Sequence, residues 1–252
     1  MASRQEVWQR AAQRPGLTDS AVHVWRASLN QGASTVRALF DTLTPDERER
    51  AARFHFRKDR EHFIVARGVL RDILGGYLDT PPALIRFSYN QYGKPALAQA
   101  GDAEALRFNL SHAHEVALYA FARGRDLGLD VEFMRDDFAS LEIAERFFSP
   151  DEVSTLRAQP AARQTLAFFN CWTRKEAFIK ALGEGLSHPL DRFSVSLVPG
   201  EPAALLSTAD DRHEAARWSL VELAPGAGYV AALALRGAAP ELSCWDWHDQ
   251  IR

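Results

Sequence analysis

An α+β fold of two similar halves, related by a pseudo-twofold axis and each with a long helix packed on an antiparallel sheet, is what the sequence predicts. Three repeated features carry that reading. The helix-start pattern Thr44-Pro45-Asp46-Glu47 returns as Ser149-Pro150-Asp151-Glu152. A long helical pattern follows each start and runs to glycine, at Leu74-Gly75-Gly76 and at Leu182-Gly183-Glu184-Gly185. The same series of strand-like segments then follows in the same order, and a block order that recurs in this way marks duplicated structure.

Each start is a capping box, with a hydroxyl at the N-cap, proline at the first helical position and glutamate three residues after the cap. Glycine closes the helices because it alone adopts the left-handed conformation without a Cβ penalty. Arg86-Phe87-Ser88 is matched by Arg192-Phe193-Ser194, and Arg107-Phe108-Asn109-Leu110 by Arg217-Trp218-Ser219-Leu220. The apolar run Val116 to Phe121 before Arg123-Gly124 is matched by Tyr229 to Leu235 before Arg236-Gly237. The expected halves are residues 1–124 and 125–252, and the crevice between such halves is a favoured ligand site.

Composition narrows the classes. With 252 residues, 46% of them apolar, the chain can bury a sizeable core. A net charge of −3 from 30 basic and 33 acidic residues argues against a general nucleic-acid or membrane-surface binder, so any anion site is local. Cys171 and Cys244 stand far apart with no CxxC spacing, which points away from disulfides and cysteine zinc sites and toward a reducing cytoplasm. The opening MASRQEVWQRAAQRPG lacks the apolar core of a signal peptide, and no stretch reaches the length of a membrane span.

The chemistry-bearing residues cluster in a few segments. In Gly128-Leu129-Asp130-Val131-Glu132, strand alternation puts Asp130 and Glu132 on one face, about 7 Å apart along the backbone, where both could reach one cation. Hard oxygen ligands suit magnesium, although a DxE is also a common solvated strand face. In Cys171-Trp172-Thr173-Arg174-Lys175-Glu176-Ala177-Phe178-Ile179-Lys180, helical spacing puts Phe168, Trp172 and Ile179 on one stripe, with Glu176 and Lys180 along its edge. Lys175 falls almost within the stripe and must meet an anion or extend to solvent. As an ordinary i, i+4 ion pair, Glu176 and Lys180 would contribute only about 0.2 to 0.5 kcal/mol. The first half offers basic and hydroxyl groups: a salt-bridged run that includes Arg50 and Arg67, a Tyr92-Gly93-Lys94-Pro95 turn, and Asn109-Leu110-Ser111-His112 at a strand end. A serine hydrolase is disfavoured, since there is no GxSxG elbow and neighbouring Ser111 and His112 point to opposite strand faces. They read as phosphate or nucleotide contacts, or, for His112, as a structural histidine.

Together GLDVE and WTRKEAFIKALGEGL, with NLSH and YGKP upstream, resemble the phosphopantetheinyl transferase superfamily, in its surfactin-synthetase-activating, monomeric pseudo-dimer type, from about Thr44 to Arg236. The resemblance implies transfer of 4′-phosphopantetheine from coenzyme A to a serine of an apo acyl or peptidyl carrier protein, with release of adenosine 3′,5′-bisphosphate. It implies magnesium held by Asp130, Glu132 and Glu176, Glu176 or a metal-adjacent water as general base, and Lys180 as acid or charge stabiliser. Lys94, Ser111 and His112 would bind the nucleotide part of coenzyme A, with Arg50 near the ribose 3′-phosphate and Arg67 a further contact. Two alternatives stay open: a metal phosphodiesterase using the same acids, and a catalytically silent coenzyme A-binding regulator.

Overall fold

The computed structural model describes residues 8–11, 15–98, 105–209 and 213–248, so most of the opening segment tested for a signal peptide lies outside the described residues. In chain order the elements are β1 (Gln9–Arg10), β2 (Ala21–Ser28), α1 (Ala33–Asp41), α2 (Pro45–Ala52), α3 (Arg57–Leu78), β3 (Phe87–Tyr89), β4 (Pro95–Leu97), β5 (Leu106–Ala113) and β6 (Val116–Arg123). The series continues with β7 (Leu127–Phe133), α4 (Leu141–Phe147), α5 (Pro150–Arg157), α6 (Ala161–Leu182), β8 (Phe193–Val195), β9 (Leu205–Thr208), β10 (Trp218–Leu223), β11 (Tyr229–Arg236) and β12 (Glu241–Asp246).

From β2 to β6 and again from β7 to β11, one strand, three helices and four strands succeed each other in the same order. The antiparallel ladder β2-β6-β5 is repeated as β7-β11-β10. The long helices α3 and α6 have 22 residues each. The duplication therefore extends to topology.

Both capping boxes form, Thr44 with Glu47 and Ser149 with Glu152. Each starts a helix of only 8 residues, and the long helix begins afresh after a short break. The expected glycine stop in the first half is displaced. Helix α3 runs through Gly75 and Gly76 and ends at Asp79, which takes the left-handed conformation (φ 47°), as Gly183 does after α6 (φ 80°). At Gly75 a Cβ would meet the Thr80 carbonyl oxygen at 2.8 Å, so the glycine serves the return of the chain past its own helix. Ladder register also shifts one sequence match by two residues. Asn109 faces Ala120 and Val221 faces Leu233, so Asn109 corresponds to Val221, not to Ser219.

The last strand crosses over. β12 lies parallel beside β2 and β1 parallel beside β12, so the first half's sheet is five-stranded and mixed, in the order β1-β12-β2-β6-β5, against three strands in the second half. Strand alternation sorts the apolar residues into three cores. On β6, Tyr119 and Phe121 face Val65 and Leu70 of α3, whereas Leu118 and Ala120 face the opposite sheet. On β11, Ala232 and Ala234 face Phe168 and Phe178 of α6, whereas Leu233 and Leu235 turn to the sheet-to-sheet core with Val22, Val24, Leu129 and Val131. The layers thus run helix, sheet, sheet, helix. Each fully buried phenylalanine or leucine adds about 1.5 to 3 kcal/mol.

The repeat reaches into the interior. Glu47 accepts from Arg71 Nε at 2.7 Å, and Arg71 also donates to the carbonyls of Pro82 and Ile85. In the second half Lys175 Nζ lies 2.7 Å from Glu152 and donates to the carbonyls of Leu190 and Phe193. Lys175 meets the anion that its place in the apolar stripe required. No helix among the described residues is long and apolar enough to cross a membrane.

Candidate functional site

Strand β7 turns Leu129 and Val131 into the sheet-to-sheet core and Gly128, Asp130 and Glu132 toward α6. A Cβ on Gly128 would collide with the backbone of Ala177 and Ala181, so only glycine lets α6 lie this close. That approach brings Lys180 onto Asp130, Nζ to Oδ1 at 2.6 Å, with Asp130 only 2% exposed. Ser111 Oγ on β5 donates to Asp130 Oδ1 (3.0 Å) and accepts from Lys180 Nζ (3.1 Å) and Val131 N (3.3 Å). The second carboxylate oxygen, Asp130 Oδ2, is buried with no hydrogen-bond partner.

Glu176 and Glu132 flank this pair. Burial, with Asp130 adding and Lys180 opposing, pushes the Glu176 carboxyl up to about 7. Glu132 is pushed up to about 7 by burial and by Asp130, against Lys180 and with Glu176 adding; the Trp172 indole donates to it. Burial works against the charge on Lys180, but Asp130 and the two glutamates outweigh it and keep the ammonium above its ordinary range. Three carboxyl groups thus surround one cation in a partly desolvated crevice. Among the described residues they are not drawn into a closed metal-binding group.

The remaining sequence candidates separate. His112 is partly open to solvent on the strand face opposite Ser111; crowding by neighbouring groups removes enough water to lower its pKa, and the charges of Lys180 and His62 lower it further. Lys94 spans the lower end of the crevice, donating to Leu127 O and Ala181 O at 3.1 Å each; burial lowers it to about 8, opposed by Asp126 and reinforced by Arg107. With Asn90, Arg107 and Asp126 it lines a cleft of about 360 Å³. Arg67 is 8% exposed and engaged with Glu47 at 2.6 Å and with the Tyr89 hydroxyl, inside the first half. Arg50 is exposed on α2, its guanidinium 5.3 Å from the Phe63 ring. The fold therefore gathers Asp130, Glu132, Glu176, Lys180 and Ser111, sets His112 beside them, and leaves Arg50 and Arg67 apart.

Sequence reading passed over several neighbours. The turn from β5 to β6 carries His114 in the left-handed conformation (φ 50°), stacked on Phe133 at 4.9 Å. Lys58 of α3 approaches Glu115 at 3.6 Å, and His62 Nε2 lies 3.0 Å from Asn30 Oδ1. Asn109 Oδ1 accepts from Leu129 N at 2.8 Å. Alternation on β5 places Asn109 on the face of Ser111 and was the signal available for it.

Comparison with known proteins follows the same division of the chain. Residues 126–234 match the 4′-phosphopantetheinyl transferase superfamily, and residues 24–123 match the family described as 4′-phosphopantetheinyl transferase, N-terminal. The 4′-phosphopantetheinyl transferase HetI of Nostoc sp. is 38% identical over 243 residues, which are 96% of this chain and 99% of that one. The 4′-phosphopantetheinyl transferase Sfp of Bacillus subtilis is 38% identical over 155 residues, 62% of this chain and 66% of that one. The similarity thus extends beyond the span from Thr44 to Arg236.

Proposed function

Because this chain belongs to the 4′-phosphopantetheinyl transferase superfamily, we propose that it transfers 4′-phosphopantetheine from coenzyme A to a serine of an apo acyl or peptidyl carrier protein, using magnesium at the crevice between β7 and α6. The observation that carries the magnesium site is the buried, unpartnered Oδ2 of Asp130 beside two carboxyls raised to about 7. A divalent cation satisfies that oxygen and offsets the clustered negative charge, and oxygen donors suit magnesium. Asp130, Glu132 and Glu176 would hold it. When bound, it supplies positive charge against the coenzyme A pyrophosphate.

The chain's own groups then do the following. Glu176, at the crevice edge one helical turn before Lys180, takes the proton of the carrier serine as the serine oxygen bonds to the β-phosphorus. The phosphoanhydride bond breaks, and its electron pair leaves with adenosine 3′,5′-bisphosphate. Lys180, kept cationic by Asp130, stabilises the charge on the departing phosphate and acts as a fixed charge instead of an acid. His112 meets the nucleotide part, with Lys94 contributing through the cleft it lines and Arg50 at the periphery. Arg67 neutralises Glu47 and supports the fold instead of contacting phosphate.

The second half supplies β7 and α6 and the first half adds Ser111 of β5, so one chain completes the crevice, which supports action as a monomer. Both cysteines are buried and free, in keeping with a cytoplasmic setting. Apo carrier protein incubated with the enzyme and coenzyme A should gain the phosphopantetheine mass only when a divalent metal is present. Full modification after thorough chelation would remove magnesium from the reading. No mass gain across a panel of apo carriers would remove the transferase.

A further inference from the structure

Strands β5 and β7 run in the same direction side by side, yet they belong to different sheets and share no backbone ladder. Side chains close the seam instead. Asn109 Oδ1 accepts from Leu129 N at 2.8 Å, and two residues on Ser111 Oγ accepts from Val131 N at 3.3 Å. Each side-chain oxygen stands in for a strand carbonyl. The two amides held in this way flank Asp130, so β5 fixes the backbone of that residue from both sides.

We infer that Asn109 is a positioning residue for the transfer reaction: it sets the register of β7 against β5 and thereby aims the Asp130 carboxylate at Lys180 and at the metal. Asn109 is 4% exposed, and its loss would leave the amide of Leu129 buried without an acceptor. Ser111 cannot cover for it, since its one hydroxyl already serves Asp130, Lys180 and Val131 N. The corresponding position of the second half holds Val221, and two residues on Leu223 packs into the sheet-to-sheet core with Val22 and Val24. Side chains that accept hydrogen bonds therefore occupy these positions only at the seam that borders the acids. The inference rests on Asp130 being a metal ligand.

The test pairs Asn109→Ala with Asn109→Ser, which have nearly the same volume and differ by one hydroxyl; Ser111 demonstrates that a serine reaches a β7 amide across this seam. Two quantities are measured on folded protein: kcat for carrier modification at saturating coenzyme A and magnesium, and Mn²⁺ half-saturation with coenzyme A present and no carrier, read by electron paramagnetic resonance. Asn109→Ala should lose at least tenfold in kcat and need at least fivefold more Mn²⁺, with the KM for carrier unchanged. Asn109→Ser should stay within about threefold of the parent in both. A purely structural asparagine would lower only the melting temperature of the alanine variant. Equal kcat and Mn²⁺ affinity for the two variants would overturn the inference while leaving the transferase reading intact. A parent enzyme that neither binds Mn²⁺ nor modifies carrier would overturn both. Should Asn109→Ala not fold, Asn109→Val, which copies the residue at the matching position of the second half, replaces it with the same expected losses.

Discussion

The face of β2 that meets α3 carries His23, Trp25 and Ala27, while the matching face of β7 that meets α6 carries Gly128, Asp130 and Glu132. In the first half Tyr77 of α3 receives both rings: its hydroxyl lies 2.7 Å from His23 Nδ1 and accepts from Trp25 Nε1 at 2.8 Å. In the second half the helix position matching Tyr77 is Ala181, which touches Gly128 through its backbone. One scaffold thus closes its helix-to-strand contact with hydrogen-bonded aromatics and, in the other copy, draws the helix in until a lysine reaches a buried aspartate. Even the counterpart of Glu176 has another use, since Asp72 Oδ2 accepts from the Trp247 indole of the C-terminal segment at 2.8 Å. Duplication supplied the frame, and small residues at one contact made room for charge.

A large loss of both rate and stability is expected at the Lys180–Asp130 ion pair, which has no counterpart among the described residues of the first half. Lys180→Ala should slow transfer at least about 10²-fold, the scale of losing one preorganised charge at a transition state. It should also destabilise the fold by leaving Asp130 buried and unpaired. Adding Asp130→Ala should recover stability in urea without recovering rate; recovered rate would make the pair a structural feature like its aromatic counterpart.

The halves should behave alike where they are alike. Glu47→Gln and Glu152→Gln each remove the carboxylate from a buried cation, and urea unfolding should report a loss of about 3 to 5 kcal/mol for each. A loss in one half alone would break the equivalence. Gly128→Ala should cost about 1 to 3 kcal/mol through overpacking against α6 and depress turnover with it.

Opposite pH signatures give the smallest but sharpest contrast. Burial holds His23 neutral down to about pH 4. The unfolded chain therefore takes up that proton first, and stability falls as pH drops from about 6.5 toward 4. Glu132 and Glu176 titrate near 7 when folded, against 4.5 in the open chain. For them the metal-free folded state keeps its protons longer, and stability falls as pH rises from about 4.5 through 7. Thermal melts of the metal-free protein should lose the acid-side slope in His23→Gln, and the neutral-side slope should shrink in Glu176→Gln and vanish when Glu132→Gln is added.

Local pattern made much of this legible. Capping boxes, the alternation in Gly128 to Glu132 and the four-residue spacing of Glu176 and Lys180 each depend on neighbours along the chain, so sequence located them. What depended on distant partners was not legible. The salt-bridged pattern around Arg67 was legible, but its partner, Glu47 of the preceding helix 20 residues away, was not. The crossing of β12 to the other half's sheet leaves no periodic signature, and the two-residue shift between β5 and β10 emerges only from their ladders. Glu132 was read as a ligand from strand spacing and Glu176 from the family resemblance, but their pKa values near 7 arise from burial that only the folded crevice creates.

If chemistry resides on α6 and not on its twin α3, matched substitutions at Glu176 and Asp72 must part company. Single-turnover carrier modification at saturating coenzyme A and magnesium would be followed by intact mass for Glu176→Gln and Asp72→Asn. Glu176→Gln should fall by roughly 10² to 10⁴ in rate at near-parental stability, while Asp72→Asn should stay within about threefold of the parent. Near-parental transfer by Glu176→Gln would refute the assignment of the chemistry to α6.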